Sequence, residues 1–296
     1  MTASSENSRA AVLDGVAAAR DIYSRLRLRV AALGQSGVTP GLAAVQVGEN
    51  AASKIYVRNK ARACTEAGLH SEVHLLPGDS VQEAVTARIE LLNRDPKVHG
   101  ILLQLPLPRH LDADRIMQAI TPRKDVDGLT WRSLGALLAG HPSFEPCTPA
   151  GVMVLLDRAG IILDRRHAVV VGRSAIVGKP MALMLMARGA TVTICHSRTA
   201  DLAAETRRAD VLVAATGQPG LIRGDMVKPG AAVMDVGINR DADGKLVGDV
   251  HFASVSGIAG WLTPVPGGIG PMTVAMLISN TVVAAERSTS ATPFSS

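Results

Sequence analysis

The chain of 296 residues is too long for one ordinary domain and suits two. Hydrophobic residues make up 47% of it and aromatic residues only 2%, so a sizeable core is possible and must be mainly aliphatic. The formal net charge of +5 favours small anionic partners such as phosphates or polycarboxylates. The sequence has no dense run of Lys and Arg and no aromatic residues interleaved with basic ones, so we expect no nucleic-acid partner.

The cysteines and the hydropathy of the sequence exclude further classes. Cys64, Cys147 and Cys195 lie far apart, without the ligand spacing of a zinc site or a disulfide framework, so we expect no metal. The first residues lack an apolar signal region, and no stretch of about 20 uncharged apolar residues predicts a membrane span. We therefore expect a cytoplasmic protein without a membrane partner.

Helix and strand patterns alternate along the first half of the chain. Apolar residues recur at three- and four-residue steps from Val16 to Leu33, which is typical of an amphipathic helix that Gly34 would end. Ser80-Val-Gln-Glu83 has the pattern of a capping box at the start of another helix. Further helices are predicted at 51–67 and 112–120. Strands are predicted at 42–47, 73–76 and 100–105.

Turn residues accumulate from Gly128 to Pro149 and place a domain boundary near the end of that segment. We predict two domains, residues 1–148 and residues 149–296. In the second half, helices are predicted near 151–158 and 180–188, and strands at 167–171, 191–195, 211–215 and 231–236. This alternation is typical of a parallel sheet with helices on its faces. The sequence therefore predicts an α/β protein whose C-terminal half is a Rossmann-like domain.

The stretch from Val169 to Pro180 predicts a nucleotide site. A buried strand ends at Gly172 and a helix opens near Pro180, so free backbone N–H groups and the helix dipole would face the turn. Gly172 and Gly178 are six positions apart with Ser174 between them, which differs from the usual G-x-G-x-x-G spacing. We reject a P-loop, because five residues separate the glycines and Pro180 replaces the Ser or Thr that would hold magnesium.

The second strand of this half indicates which dinucleotide the turn would bind. An NAD site usually has an Asp or Glu at the end of that strand, hydrogen-bonded to the ribose 2′-hydroxyl. Here the strand continues into Cys195-His-Ser-Arg-Thr199 without an acid. Ser197 and Arg173 offer donors to a phosphate instead. The sequence thus favours NADP, while an ordinary exit from a strand into a loop stays open as an alternative.

Six sequence blocks resemble one known family in their order along the chain. They are 47–60 (VGENAASKIYVRNK), 104–108 (QLPLP), 124–128 (KDVDG), 146–149 (PCTP), 171–178 (VGRSAIVG) and 263–273 (TPVPGGIGPMT). Over residues 14–286 the chain is similar to the bifunctional methylenetetrahydrofolate dehydrogenase/cyclohydrolase family. The resemblance implies NADP-dependent oxidation of 5,10-methylenetetrahydrofolate to the 5,10-methenyl cation, and hydrolysis of that cation to 10-formyltetrahydrofolate. It also implies a homodimer, and a last helix that returns to the N-terminal domain.

The resemblance assigns roles to individual residues of the N-terminal half. Lys60 would act in the cyclohydrolase step, and Gln104 would hydrogen-bond to Lys60 and tune it. Asp127 would pair with the pterin ring of the substrate. Tyr56, four positions before Lys60 and on the same helix face, would stack on the folate.

The same resemblance places the walls of the site and the cofactor contacts. The cleft would be lined by Leu103 and Leu105. The far wall of the folate site would be formed by Pro266, Gly267, Gly268, Ile269 and Gly270, where glycines allow close backbone approach. NADP would be held by Gly172, Arg173, Ser174, Ser197 and the backbone at Ile238. Cys147 we interpret as structural.

Each of these residues has an ordinary interpretation when it is taken alone. Lys60 would be a surface charge, and Asp125 and Asp127 would be turn residues. Two other functions also stay open: a different two-domain NADP oxidoreductase, such as a shikimate or amino-acid dehydrogenase, and a non-catalytic NADP-binding sensor. The set of Tyr56, Lys60, Gln104 and Asp127 argues for folate over the first. The second would need a broken catalytic position, and the motifs show none.

Overall fold

In the computed structural model, residues 9–48 and 60–290 are described, and the chain forms two compact units. Among the described residues, the six-stranded unit consists of 9–19 together with Thr148–Thr273, and the three-stranded unit consists of 20–48, 60–147 and 274–290. Residues 9–19 and 274–290 therefore each belong to the unit that is built mainly from the other half of the chain. A single boundary after residue 148 does not include this exchange.

The elements alternate between helices and strands along most of the chain. The α-helices are α1 (Gly15–Gln35), α2 (helical over 60–67), α3 (Gln82–Arg94), α4 (Ala113–Met117), α5 (Trp131–Leu138), α6 (Cys147–Arg158), α7 (Gly178–Ala187), α8 (Leu202–Thr206), α9 (Phe252–Val255) and α10 (Ile269–Ser290). The strands are β1 (Ala11–Val12), β2 (Gly41–Val47), β3 (His70–Leu76), β4 (Gly100–Leu103), β5 (His167–Val171), β6 (Thr191–Cys195), β7 (Val211–Ala214), β8 (Ala232–Asp235), β9 (Asn239–Arg240), β10 (Leu246–Val247) and β11 (Trp261–Leu262). A short 3₁₀ turn spans Gly224–Met226.

The six-stranded unit is built on a parallel sheet with the strand order β1-β11-β8-β7-β5-β6. Every residue of β7 and β8 is buried, and all of them except Asp235 at the end of β8 are apolar, because strands of a parallel sheet are covered on both faces. The carboxyl ends of β6, β5, β7 and β8 lie at one edge of the sheet. The loops that follow these four strands are therefore neighbours.

The three-stranded unit contains a parallel sheet with the order β3-β2-β4. The central strand β2 is buried along its whole length. Helix α3 packs Val85, Ile89 and Leu92 into the same aliphatic cluster as alternate residues of β2 and β4. This packing fixes the carboxyl end of β4, from which the chain continues to Gln104.

The last helix, α10, supplies its second part to the three-stranded unit. Arg29 of α1 donates two hydrogen bonds to the carboxylate of Glu286, with N–O distances of 2.8 and 2.6 Å. Gly100 at the start of β4 has no room for a side chain, since a Cβ atom would lie 2.7 Å from Val126 Cγ2 and 3.0 Å from Thr281 Oγ1. The prediction that the last helix returns to the N-terminal domain is confirmed.

Helix α10 is also long and apolar enough, by length and composition, to cross a membrane. Its apolar window, Ile269–Thr289, has a mean hydropathy of 1.3, and half of that window is buried inside the protein. A core helix that is mostly covered by its own protein passes the same test. The composition of α10 therefore does not by itself indicate a membrane span.

Two helix boundaries differ from the sequence prediction. The capping box at Ser80 is wrong: α3 begins at Gln82, its N-cap is Val81, and no side chain caps it, because Ser80 stands one residue too early. Helix α1 runs through Gly34 to Gln35, and the left-handed residue that follows it is Gly37, with φ of 75°. Glycine marked the end of this helix, but at a different position.

Several elements were not predicted from the sequence pattern. Helix α5 lies in the segment predicted to be mainly turns, and the hydroxyl of Thr130 caps it by accepting a hydrogen bond from the N–H of Ser133 at 3.2 Å. The strands β1 and β11 have two residues each, and their partners are distant in sequence. Such short strands have too few residues to show a hydrophobic period.

Candidate active site

Lys60 and Gln104 meet beyond the carboxyl end of β4. Lys60 lies in α2, and its Nζ donates a hydrogen bond to Gln104 Oε1 at 3.1 Å. The backbone N–H of Gln104 donates to the carbonyl of Val45 at 2.9 Å, and its Nε2 donates to the carbonyl of Leu105 at 2.7 Å. One hydrogen bond therefore fixes the backbone of Gln104 and another fixes its side-chain NH₂ group. The side-chain oxygen is left to accept the hydrogen bond from Lys60.

The charge of Lys60 is set by opposing effects. Burial lowers the pKa of Lys60 from its ordinary value, because the low-dielectric surroundings disfavour the ammonium form. The negative charge of Asp127 opposes this effect. A lysine with this environment is better able to exchange protons near neutral pH than a solvated one.

The two aspartates of the Lys-Asp-Val-Asp-Gly motif have different surroundings. Asp125 is buried, and its carboxylate accepts hydrogen bonds from the N–H groups of Gly128, Leu129 and Thr130 at 3.1, 3.2 and 2.9 Å. It also accepts one from the Ser133 hydroxyl at 2.5 Å. The turn role that the sequence left open for both aspartates thus belongs to Asp125.

Asp127 instead is coupled to the lysine and to a cysteine. Burial raises the pKa of Asp127, while the positive charge of Lys60 and a hydrogen bond from the Cys147 thiol lower it. Cys147 is buried, and burial together with the neighbouring Asp127 raises its thiol pKa well above the usual value. A thiol with that pKa stays protonated, so Cys147 is a hydrogen-bond donor here and not a nucleophile.

Asn280 is a residue of this site that sequence reasoning missed. From α10 its Nδ2 donates to the carbonyl of Val126 at 2.8 Å and to that of Glu145 at 3.2 Å. These bonds tie the backbone immediately before Asp127, and the backbone two residues before Cys147, to the last helix. An amide within the apolar sequence of α10 was the available signal, since a polar group in such a helix needs partners.

Three more residues were expected in the folate site of this unit or along its cleft. Tyr56 lies outside the described residues. Leu105 is half-buried and packs against the aliphatic cluster under β4. Leu103 is a buried member of that cluster, and its place along the cleft stays a prediction.

The nucleotide turn has the shape of a phosphate cradle. Gly172 follows β5 with φ of 127°, and a Cβ atom there would collide with the carbonyl of Ala215. A Cβ atom at Gly178 would collide with the carbonyl of Gly172. The hydroxyl of Ser174 accepts hydrogen bonds from the N–H groups of Val177 and Gly178 at 3.2 and 3.3 Å, at the start of α7. The glycines bring strand, turn and helix start close enough to hold a pyrophosphate.

The remaining cofactor candidates are exposed at the same edge of the sheet. Arg173 follows β5, Ser197 follows the neighbouring strand β6, and Ile238 follows β8. Ser197 projects from a turn in which the N–H of His196 donates to Thr199 Oγ1 at 2.9 Å. This edge therefore fits a dinucleotide whose ribose carries a phosphate near the ends of β5 and β6.

The segment Pro266–Gly270 lies in the six-stranded unit as a loop and the start of a helix. Gly267 has φ of 107°, and its carbonyl accepts a hydrogen bond from the N–H of Val16 at 3.2 Å. Ile269 is buried and opens α10. The five residues predicted to form the far wall of the folate site thus comprise the loop Pro266–Gly268 and the first two residues of α10, and their role in binding stays a prediction.

The division of roles within the Lys-Asp-Val-Asp-Gly motif can be tested by stability. Asp125→Ala removes the acceptor of three buried backbone N–H groups, so we expect a loss of roughly 3 kcal/mol or more in the free energy of unfolding. Asp127→Ala removes a carboxylate whose charge burial disfavours, and we expect a change below about 1 kcal/mol. Urea unfolding followed by circular dichroism measures both. Equal losses in the two variants would contradict this division.

Comparisons with known proteins agree with the geometry of both units. Residues 13–127 match the family model for the tetrahydrofolate dehydrogenase/cyclohydrolase catalytic domain, and residues 146–289 match the model for its NAD(P)-binding domain. The bifunctional protein FolD of Bordetella avium is 59% identical over 94% of this chain and 98% of its own length. That of Moorella thermoacetica is 58% identical over 94% of this chain and 99% of its own.

Two solved structures extend the comparison to three dimensions. The bifunctional FolD methylenetetrahydrofolate dehydrogenase/cyclohydrolase of Campylobacter jejuni has a TM-score of 0.92 at 48% identity, covering 93% of this chain and 98% of that one. The FolD of Trypanosoma brucei, solved with NADP and an inhibitor, has a TM-score of 0.92 at 40% identity, covering 96% and 99%. By sequence, by fold and by the residues of its site, this chain belongs to the tetrahydrofolate dehydrogenase/cyclohydrolase family.

Proposed function

We propose that this protein oxidises 5,10-methylenetetrahydrofolate with NADP⁺ and hydrolyses the resulting 5,10-methenyl compound to 10-formyltetrahydrofolate. The observation that carries the proposal is the hydrogen bond between Lys60 and Gln104 at 3.1 Å beside the charge of Asp127. Identity of 59% to a bifunctional relative over 94% of the chain favours it over another two-domain oxidoreductase. A polar cluster arranged for proton exchange favours it over a cofactor sensor.

The oxidation depends mainly on the relative positions of the methylene carbon and the hydride acceptor. When bound, NADP⁺ supplies the acceptor for the hydride that leaves the methylene carbon. The chain has only to hold the two carbons in line and keep water away, so no acid or base is needed for this step. Among the described residues, no group of three or more His, Cys, Asp or Glu could hold a metal ion.

The hydrolysis, in contrast, requires proton transfers. Water that adds to the cationic methenyl carbon loses a proton, and ring opening then moves a proton to the departing nitrogen. Lys60 with a lowered pKa can accept the first proton as a neutral amine and return a proton as an ammonium. Gln104 accepts a hydrogen bond from the amine and thereby orients its lone pair or its remaining N–H groups towards the substrate.

Asp127 has a separate role in substrate binding in this proposal. A carboxylate that faces an amino-pyrimidinone edge accepts two N–H hydrogen bonds, which are charge-assisted. The same negative charge raises the pKa of Lys60 and so limits the effect of burial. Arg173 and Ser197 would hold the 2′-phosphate of NADP⁺. The homodimer and the cytoplasmic location remain predictions from the resemblance and the sequence.

Replacement of Lys60 should separate the two reactions. Lys60→Met keeps the length of the side chain and removes the amine, so cyclohydrolase turnover should fall by about 10² or more, while dehydrogenase activity persists in part and methenyltetrahydrofolate accumulates. Both products are followed by absorbance. Lys97→Met removes an exposed lysine of the same unit and should change neither rate. Parental hydrolysis by Lys60→Met would exclude Lys60 from the proton transfers, and an equal loss of both activities would assign it to binding.

The preference for NADP⁺ over NAD⁺ should depend on Arg173. Arg173→Ala removes an exposed cation beside the expected 2′-phosphate, so the KM for NADP⁺ should rise by about tenfold or more while that for NAD⁺ changes little. Arg132→Ala, which removes an exposed arginine of the other unit, serves as the control for net charge. The proposal would be refuted if the parent protein used the two cofactors equally well.

A further inference from the structure

Two buried aspartates, Asp235 and Asp249, interlock behind the loops at the carboxyl edge of the six-stranded sheet. The relative exposure of Asp235 is 3% and that of Asp249 is 0%. The sequence pattern singled out neither residue. Asp235 is the last residue of β8, and Asp249 follows the hairpin formed by β9 and β10. Ionisable side chains this deeply buried need hydrogen-bond partners, and their partners identify what they hold in place.

The carboxylate of Asp249 bridges two neighbouring loops. Its Oδ2 accepts hydrogen bonds from the N–H of Thr216 at 2.5 Å, the hydroxyl of Thr216 at 3.0 Å and the N–H of Gly217 at 3.0 Å. Its Oδ1 accepts one from Asn239 Nδ2 at 2.8 Å. Thr216 and Gly217 belong to the loop after β7, and Asn239 follows the loop after β8. One side chain therefore fixes the loops of two adjacent strands relative to each other.

Asp235 in turn fixes the backbone of Asp249. Its Oδ1 accepts hydrogen bonds from the N–H groups of Gly237 and Asp249, and its Oδ2 accepts one from the N–H of Val250, each at 2.9 Å. Burial raises the pKa of Asp235 to about 6, while these three N–H groups act in the opposite direction. The backbone donors favour the carboxylate form, in which both oxygens accept.

Two glycines show how closely the loops enclose these carboxylates. A Cβ atom at Gly237 would collide with the carboxylate of Asp249, and one at Gly248 would collide with the carboxylate of Asp235. The absence of a side chain at Gly237 makes room for the carboxylate of Asp249, and its absence at Gly248 makes room for the carboxylate of Asp235. Ile238, exposed at the edge of the sheet, stands between Gly237 and Asn239, both of which are held by this network.

The position of the loops after β7 and β8 indicates which part of the cofactor they would face. The phosphate cradle follows β5, and Arg173 and Ser197 follow β5 and β6. A dinucleotide that extends across the carboxyl edge of a parallel sheet must therefore place its other half beyond β5, over the loops after β7 and β8. That half is the nicotinamide riboside, which carries the carbon that receives the hydride.

We propose that Asp249 is a positioning residue for the nicotinamide half of the cofactor: its carboxylate, anchored by Asp235, sets the spacing between the Thr216–Gly217 loop and the backbone of Ile238. The inference rests on the proposed use of NADP⁺. Asp249 does not touch the cofactor in this account. It acts through two loops, and its loss should therefore weaken binding of the nicotinamide half without affecting the adenosine half.

The test compares two ligands by calorimetry. NADP⁺ spans the whole edge, whereas adenosine 2′,5′-bisphosphate reaches only the cradle side. Asp249→Asn replaces one carboxylate oxygen with an NH₂ group, which would face hydrogen-bond donors of Thr216 and Gly217 or of Asn239. We expect the Kd for NADP⁺ to rise by about tenfold or more. The Kd for adenosine 2′,5′-bisphosphate should change by less than about twofold. Asp225→Asn, at an exposed aspartate of the same unit, is the control and should change neither Kd.

A second variant covers the case in which Asp249→Asn does not fold. Asn239→Ala leaves both carboxylates in place and releases only the loop after β8, and it should show the same selective weakening for NADP⁺ to a smaller extent. Equal weakening of both ligands, or of neither, would overturn the positioning role. Failure of the parent protein to bind NADP⁺, with binding of adenosine 2′,5′-bisphosphate retained or lost, would instead refute the proposed function from which the inference starts.

Discussion

The half-buried amine of Lys60 is held by two interactions of different kinds, and the chemistry of the three-stranded unit depends on both. Gln104 accepts a hydrogen bond from it and imposes an orientation, while Asp127 acts on it by charge. Burial lowers the pKa of Lys60 and favours the neutral amine, whereas the negative charge of Asp127 raises that pKa and favours the ammonium form. The combination leaves an amine that can take up and release a proton.

Much of the surrounding fold serves to hold these three groups. Strand β4 ends so that Gln104 is fixed by its own backbone and by Leu105, and the Asp125 turn holds the segment that carries Asp127. Asn280 reaches the same segment from the last helix, which explains why α10 returns to this unit. In the six-stranded unit, buried carboxylates likewise hold loops from behind while exposed residues face the ligand.

The sequence predicted those features that depend on neighbours in the chain. The central strands were found because burial on both faces makes them mostly apolar, and the nucleotide turn was found because glycines and a helix start follow one another. The side chains of Lys60 and Gln104 were paired by the resemblance. Helix α5 was missed because its eight residues are too few to show a clear helical period within a segment rich in turn residues.

Features that depend on distant partners could not be predicted in the same way. The bond from Asn280 to Val126 joins residues 154 positions apart, and Asp249 binds Thr216 across 33 positions. Neither the periodicity of the sequence nor the spacing of its residues indicates the partners of Asn280 or Asp249.

The most direct test of the account is the ionisation of Lys60 itself, followed by NMR of the ¹³Cε signal in lysine-labelled protein, with the spectrum of Lys60→Met used for assignment. The account predicts a pKa below the ordinary value of 10.5, and a further decrease in Asp127→Asn, since that variant loses the negative charge that favours the ammonium form. A pKa at or above 10.5 in the parent protein, or an increase in Asp127→Asn, would contradict it.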